Sequence, residues 1–550
     1  MIRREGDRRV LTVLILAATL SGACDKRGSY NEESRTTGTL GSSPGAISMS
    51  DRAMTMPAPD GERGRLSTDS SRGETYARTP ENPFVNVRAS PLSTFSIDVD
   101  AASYSNVRRY IEDGTLPPAD AVRVEELINY FHYDYPQPTD EHPFSITTDV
   151  AACPWSGAHQ LVLVGLQGKR GAMEDLPPSN LVFLIDVSGS MQSPDKLPLL
   201  KSSFRYLVEK LRDIDKISIV VYAGGAGLVL PPTSGDDRVT ILNAIDNLEA
   251  GGSTAGGEGI ALAYKTALQG FTAGGNNRII LATDGDFNVG VSDYHGLERL
   301  IEEKRNMGVF LTVLGLGTGN MQDQTLELLA DKGNGHYAYL DDEDEARKVF
   351  QTELTATLFT IASDVKVQVE FNPLLVSSYR LIGYDNRRLS NEDFADDHKD
   401  AGELGSGHNV TALYEIVPTQ AATGDRPDLL THGADGNSSE RDERMHRSRF
   451  QRGELLRVSL RYKPPTGGAS RLVAGPAISV SRNIREVSEN LRFAAAVAQW
   501  GLLLRNSPHK GSASYDGVIA LAEGAVGSDT EGYRDEFIEL VALCRSLASR

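Results

Sequence analysis

The chain has 550 residues, too many for a single hydrophobic core, and roughly three or four folded units are expected from its length. Its 56 lysines and arginines stand against 75 aspartates and glutamates, a formal net charge of −19. That balance excludes the basic footprint of a nucleic-acid binder and leaves a body that tolerates cations. There are 3 cysteines, and no Cys/His spacing of the zinc-binding kind occurs.

The N-terminus carries an address. Arg3, Arg4, Arg8 and Arg9 precede an apolar run from Leu11 to Leu20, and Ser21-Gly22-Ala23-Cys24 follows. This is the charged, apolar, small-residue order of a secretory signal over residues 1–23, too short to span a membrane. The cysteine after small residues resembles the bacterial lipobox, which implies cleavage before Cys24 and acylation of its thiol. Ser21 departs from that pattern, where an aliphatic residue is usual and Leu20 sits one place early. Asp25 directly after the cysteine resembles the signal that retains some lipoproteins at the inner membrane of Gram-negative bacteria. The expectation is an exported lipoprotein facing the periplasm. Residues 24–82 are rich in Ser, Gly, Thr, Arg, Asp and Pro, lack apolar periodicity, and read as a flexible tether.

Residues 83–178 form a short segment of mixed character. Ser93 to Val99 alternates like a half-buried strand, and helical spacing follows at Tyr104, Val107, Tyr110 and Ile111 and again at Val124, Leu127, Ile128 and Phe131. The aromatic cluster Tyr130 to Tyr135 reads as a packing surface. Asp98-Val-Asp100 is oxygen-rich, but no downstream partner accompanies it. Phe144–Val150 and Leu161–Gln167 read as strands.

From 179 to 358, strands and helices alternate, which predicts an α/β domain with a doubly wound, mainly parallel sheet. The opening strand is Leu181-Val-Phe-Leu-Ile, unbroken by a polar residue, so both its faces are expected to be buried. It ends in Asp186-Val-Ser188-Gly-Ser190. Taken alone, that ending caps a helix as readily as it binds a cation. Thr254 follows in the glycine-rich loop 251–257 ahead of a helix, and Asp284 ends the strand Ile279–Thr283. Ligands in open α/β sheets sit outside the carboxyl ends of strands where the strand order reverses, and all three elements are expected there. Capping explains any one of them, but explains three together poorly.

These residues resemble the metal-ion-dependent adhesion site of the von Willebrand factor type A fold. Asp186, Ser188 and Ser190 match the DxSxS motif, Thr254 the threonine, and Asp284 the second aspartate. The resemblance implies a site for Mg2+ (or Mn2+ or Ca2+), held directly by the serines and threonine, with the aspartates acting largely through water. An acidic residue of a partner protein then completes the shell. The flanks resemble a bacterial group with a short segment before the A domain and a C-terminal domain of unknown function after it.

Two enzyme motifs are imitated. Gly315-Leu-Gly317-Thr-Gly319 lacks the full dinucleotide fingerprint and follows a late strand, so a tight turn is the better reading. Gly252-Ser-Thr254-Ala-Gly256 has neither the preceding strand nor the His/Asp partners of a nucleophile elbow. The expected function is therefore metal-dependent protein binding at the cell envelope, not catalysis. The competing readings are a metal-dependent hydrolase and a scaffold with a structural metal.

The remainder, 359–550, is read as β-rich and then helical, with strands at 365–371, 375–383, 409–417 and 455–462 and helices at 491–504 and 537–547. A polar, charged insertion at 419–449 is expected to be disordered. The helix from Leu491 is apolar but short and interrupted by Arg492 and Gln499, so it is expected in a core, not in a membrane. Cys153 and Cys544 lie far apart and are read as unpaired.

Overall fold

The computed structural model describes residues 66–549 except 70–73, 173–175, 253–255, 286–293, 320, 354–358, 420–449, 451–452, 466–467 and 476–482. The signal segment, Cys24, most of the tether, Thr254 and the insertion from 420 onward lie outside the described residues.

The first part of the chain contains β1 (Leu66–Asp69), β2 (Glu74–Ala77), β3 (Val85–Asn86), β4 (Leu92–Ser96), α1 (Ala102–Glu112), α2 (Val124–Asn129), β5 (Phe144–Ala152) and β6 (Gln160–Gly168). The central part runs β7 (Ser179–Asp186), α3 (Leu197–Val208), β8 (Lys216–Tyr222), β9 (Ala226–Ser234), α4 (Arg238–Asp246), α5 (Gly256–Gln269) and β10 (Asn276–Thr283). It continues through α6 (Tyr294–Asn306), β11 (Val309–Leu316), α7 (Asp323–Lys332), β12 (Tyr337–Leu340) and α8 (Glu343–Lys348). The last part holds β13 (Thr360–Phe371), β14 (Val376–Ile382), β15 (Arg388–Leu389), β16 (Leu404–Gly405), β17 (Asn409–Pro418), β18 (Leu456–Lys463) and β19 (Arg471–Ala474). It ends in α9 (Glu489–Leu504), α10 (Tyr515–Glu523) and α11 (Tyr533–Ala548).

The central domain is built on a sheet of order β12-β11-β10-β7-β8-β9, parallel except for β9. All eight residues of β7 are buried. Leu181, Phe183 and Ile185 face one side, with Leu200, Phe204, Ile241 and Phe350, and Val182 and Leu184 face the other, with Ile260, Tyr264 and Leu326. This two-sided burial is why the strand is uniformly apolar. Each such side chain contributes about 1.5–3 kcal/mol over its exposed state. The strand order reverses between β7 and β10, so their carboxyl ends flank the switch point.

The regions before and after this domain are not separate in space, which corrects the division at 83–178 and 359–550. Strands β4 and β13 pair within the sheet β15-β4-β13-β18-β19, and β6 and β17 pair within the sheet β3-β14-β17-β6-β5. Phe95, Phe144 and Val164 from the first region share a core with Val367, Phe371 and Tyr414 from the last. Likewise α1 and α2 pack with α9, α10 and α11 in a core that includes Tyr104, Leu127, Phe131, Trp500 and Phe537. Tyr130, Phe131, Tyr133 and Tyr135 are all buried, a packing surface as expected, and Cys153 and Cys544 are free thiols. Leu491 to Leu502 lie in this same core, and no helix among the described residues is long and apolar enough to cross a membrane.

The reading of 24–82 as tether is corrected at its end. Residues 66–69 and 74–77 pair as antiparallel strands, and Glu74 and Tyr76 are fully buried. Both Glu74 oxygens accept from the Arg109 guanidinium at 2.8 Å, and Glu74 also accepts from the hydroxyls of Tyr76 (2.7 Å) and Tyr110 (2.8 Å). Burial alone would raise this carboxyl, but the Arg109 pairing outweighs it and holds the group at about 2. A charge with partners this distant in sequence has no local signature.

Candidate metal centre

Asp186 is the last residue of β7 and Asp284 the first after β10, and the register places Ile185 opposite Ala282. Two carboxylates therefore leave adjacent parallel strands side by side. Asp186 is buried, and its Oδ1 accepts the Ser188 backbone N–H at 2.8 Å. That bond turns the chain so that Ser188 presents its hydroxyl 3.0 Å from the hydroxyl of Ser190. Ser188 is buried and Ser190 exposed, so the pair runs from the sheet tip to the surface.

The glycine-rich loop is fastened to this turn. Gly251 donates its N–H to the Val187 carbonyl at 2.7 Å, and Gly189 donates to the Gly252 carbonyl at 3.2 Å. Gly252 has φ +88, a conformation that disfavours any side chain. Thr254, two residues on, lies outside the described residues. The structure thus brings together Asp186, Ser188, Ser190 and Asp284, and ties the start of the Thr254 loop beside them.

Burial pushes the Asp186 carboxyl up to about 6; the hydrogen bonds from Ser188 pull it back, and the neighbouring Asp284 charge adds to the rise. An oxygen-only donor set of two carboxylates and two hydroxyls suits a hard divalent cation. Among the described residues no group of three or more His, Cys, Asp or Glu could hold a metal ion. A cation here would draw on the Ser188 and Ser190 hydroxyls beside the two carboxylates.

One charged neighbour escaped the sequence reading. Lys196, immediately before α3, is buried and donates from Nζ to Asp284 Oδ2 at 2.9 Å. In sequence it is a lone lysine at a helix start, indistinguishable from a solvated one.

Asp98 and Asp100 do not form a second cation motif. Asp98 accepts from Arg387 Nε at 2.9 Å, and Asp100 accepts the Tyr337 backbone N–H at 2.9 Å. Gly317 and Gly319, with φ +67 and +91, form a turn after β11. His336 precedes β12, at the end of the sheet opposite the carboxylates, and is buried.

The type A domain family of von Willebrand factor matches residues 180–352, a further von Willebrand factor model matches 70–163, and the YfbK C-terminal family matches 356–547. Fold and sequence together define a von Willebrand factor type A domain protein, and a domain of this type suggests a protein-interaction module. Escherichia coli (strain K12) YfbK is 43% identical over 476 residues, 85% of this chain and 80% of that protein. The chain belongs to the YfbK family. A Synechocystis protein is 30% identical over 176 residues, 32% of this chain and 40% of its own length. A solved von Willebrand factor type A structure from Catenulispora acidiphila is 19% identical, covers 73% of this chain and 91% of its own, and superposes with a TM-score of 0.39.

Proposed function

We propose that this chain is an exported, lipid-tethered binding module of the bacterial envelope that recognises an acidic residue of a partner protein through a divalent cation. The observation that carries this reading is the convergence of Asp186, Ser188, Ser190 and Asp284 at the switch point of the sheet, with oxygen donors alone. Ser188, Ser190 and Thr254 hold the cation through their hydroxyls, while Asp186 and Asp284 supply charge behind them. Bound Mg2+ supplies a hard, electrophilic position that a carboxylate oxygen fills. Ser190, the exposed member, marks the side from which the partner approaches.

Binding is favoured over hydrolysis because the buried His336 lies at the end of the sheet opposite the two carboxylates, away from a cation held between them. A purely structural metal is disfavoured because Lys196 already satisfies Asp284 without one. Anchoring through Cys24, facing the periplasm of a Gram-negative cell, follows from the lipobox resemblance; labelling with a fatty-acid analogue tests it.

The decisive experiment is a Mg2+-dependent capture from the envelope of the native cell, with Asp186→Ala as control. Wild type is expected to retain its partner in Mg2+ and release it in EDTA, and Asp186→Ala to retain nothing. Capture that survives both EDTA and the substitution sinks the reading. Ester or phosphate hydrolysis abolished by Asp284→Ala would favour the enzyme instead.

A further inference from the structure

We propose that Lys196 sets the charge of the metal site, so that a divalent cation is held tightly only together with an acidic ligand from the partner. The inference rests on the metal-binding reading above and concerns what this residue adds to it.

Lys196 is not free to leave. Its side chain is 9% exposed and its Nζ lies 2.9 Å from Asp284 Oδ2. Its stem runs beneath Gly317, where a Cβ would collide with Lys196 Cε and Cγ. Gly317 is fixed in turn, with φ +67 and its carbonyl accepting the Tyr339 hydroxyl at 2.8 Å. Two residues on, the Gly319 N–H donates to Glu74 Oε1 at 3.2 Å, so the same turn is anchored to β2. Moving the ammonium away requires moving this turn.

The consequence is a charge count. Asp186 and Asp284 bring two negative charges and Lys196 one positive, so the described groups of the site sum to one negative charge. A divalent cation leaves one positive charge over, which an acidic side chain of the partner cancels. Without Lys196 the cation alone would neutralise the site, and an added carboxylate would leave it negative. In a buried site these charges are weakly screened, so one unit decides which combination is preferred. Lys196 thus weakens the bare metal complex, strengthens the ternary one, and keeps Asp284 paired when no cation is present.

The test uses the full chain with Mn2+ alone as probe, measured by isothermal titration calorimetry and thermal melting. Lys196→Met is expected to bind Mn2+ about tenfold tighter or more than wild type, a difference set by removing one nearby charge. Its metal-free form melts earlier, and Mn2+ raises its midpoint further than that of wild type. Acetate, a free carboxylate probe, is expected to tighten Mn2+ binding by wild type but not by Lys196→Met at matched free Mn2+. An unchanged or weaker affinity in a folded Lys196→Met overturns the role of Lys196 while leaving the metal reading standing. If Mn2+ binds neither protein, the metal reading falls and this inference with it. Should Lys196→Met fail to fold, Lys196→Gln, which is neutral but still a donor, is judged by the same affinity criterion.

Discussion

Replacing Arg108 with methionine is expected to destabilise the folded chain by about 3–5 kcal/mol, the cost of leaving buried charges without their partner. Arg108 lies on α1 with its side chain 2% exposed. Its Nη2 meets Asp341 Oδ1 at 2.5 Å and Glu345 Oε2 at 2.9 Å, its Nε meets Asp341 Oδ2 at 2.8 Å, and its Nη1 meets Glu536 Oε1 at 3.1 Å. One guanidinium thereby joins α1, the β12–α8 corner of the A domain and α11, three segments distant in sequence. Methionine keeps the apolar stem but strips the guanidinium from buried Asp341 and from Glu345, which keeps the Tyr130 hydroxyl at 2.8 Å and the charge of Lys348. Lysine is expected not to rescue, because a single ammonium cannot reproduce the planar fork. Thermal melting checks this, and a midpoint within a degree or so of wild type would refute the keystone role. Limited proteolysis should show the junction between α1 and the A domain opening first.

Raising the pH from 6.5 to 8.5 is expected to lower the thermal midpoint. Burial pushes Glu403 up to about 8, with Asp364 and Asp400 adding to the rise while Ser363 and Arg278 oppose it. Burial likewise carries Glu125 to about 7, with Asp385 adding to it. A carboxyl whose folded value exceeds its unfolded one stabilises most below the unfolded value, near 4.5, and loses that contribution as pH climbs through the folded value. That loss runs from the unfolded value up to the folded one, and the chosen window covers its upper part, about 1–2 kcal/mol for such a group. Burial also raises Glu126 to about 8 and Glu327 and Asp341 to about 7, so they add to the same decline. The remaining groups act elsewhere. Burial depresses His408 to about 4, so its contribution is present above the unfolded value and is lost as pH falls below 6.5. Glu74, held at about 2, loses its contribution only in stronger acid. Glu403→Gln is expected to flatten the decline between pH 6.5 and 8.5, and an equally steep decline in that variant would count against the assignment.

Local pattern suffices where burial is continuous along an element. The strand from Leu181 to Ile185 is apolar without alternation because helices cover both its faces, and the sequence alone therefore predicted a buried parallel strand. The helix at Leu491–Leu504 was legible for the same reason, since α9 is buried along most of its length. The short helix α10 and the edge strands β15, β16 and β19 were not. They bury few apolar residues and so leave little periodic signal.

The site divides along the same line. Asp186-Val-Ser188-Gly-Ser190 is as good a helix cap as a ligand set until Thr254 and Asp284 are placed at a loop and a strand end of the same α/β alternation. That inference needs only the order and spacing of strands and helices along the chain, which also predict the doubly wound class of the central domain. Three features arise only in the folded chain: Lys196 neutralises Asp284, Glu74 anchors the end of the tether to Arg109, and the regions flanking the A domain share two sheets and one helical core. The physical reason is common to all three. They are pairings between residues far apart in the chain, made by single charges or by register between strands, and neither leaves a periodic trace in the residues around it.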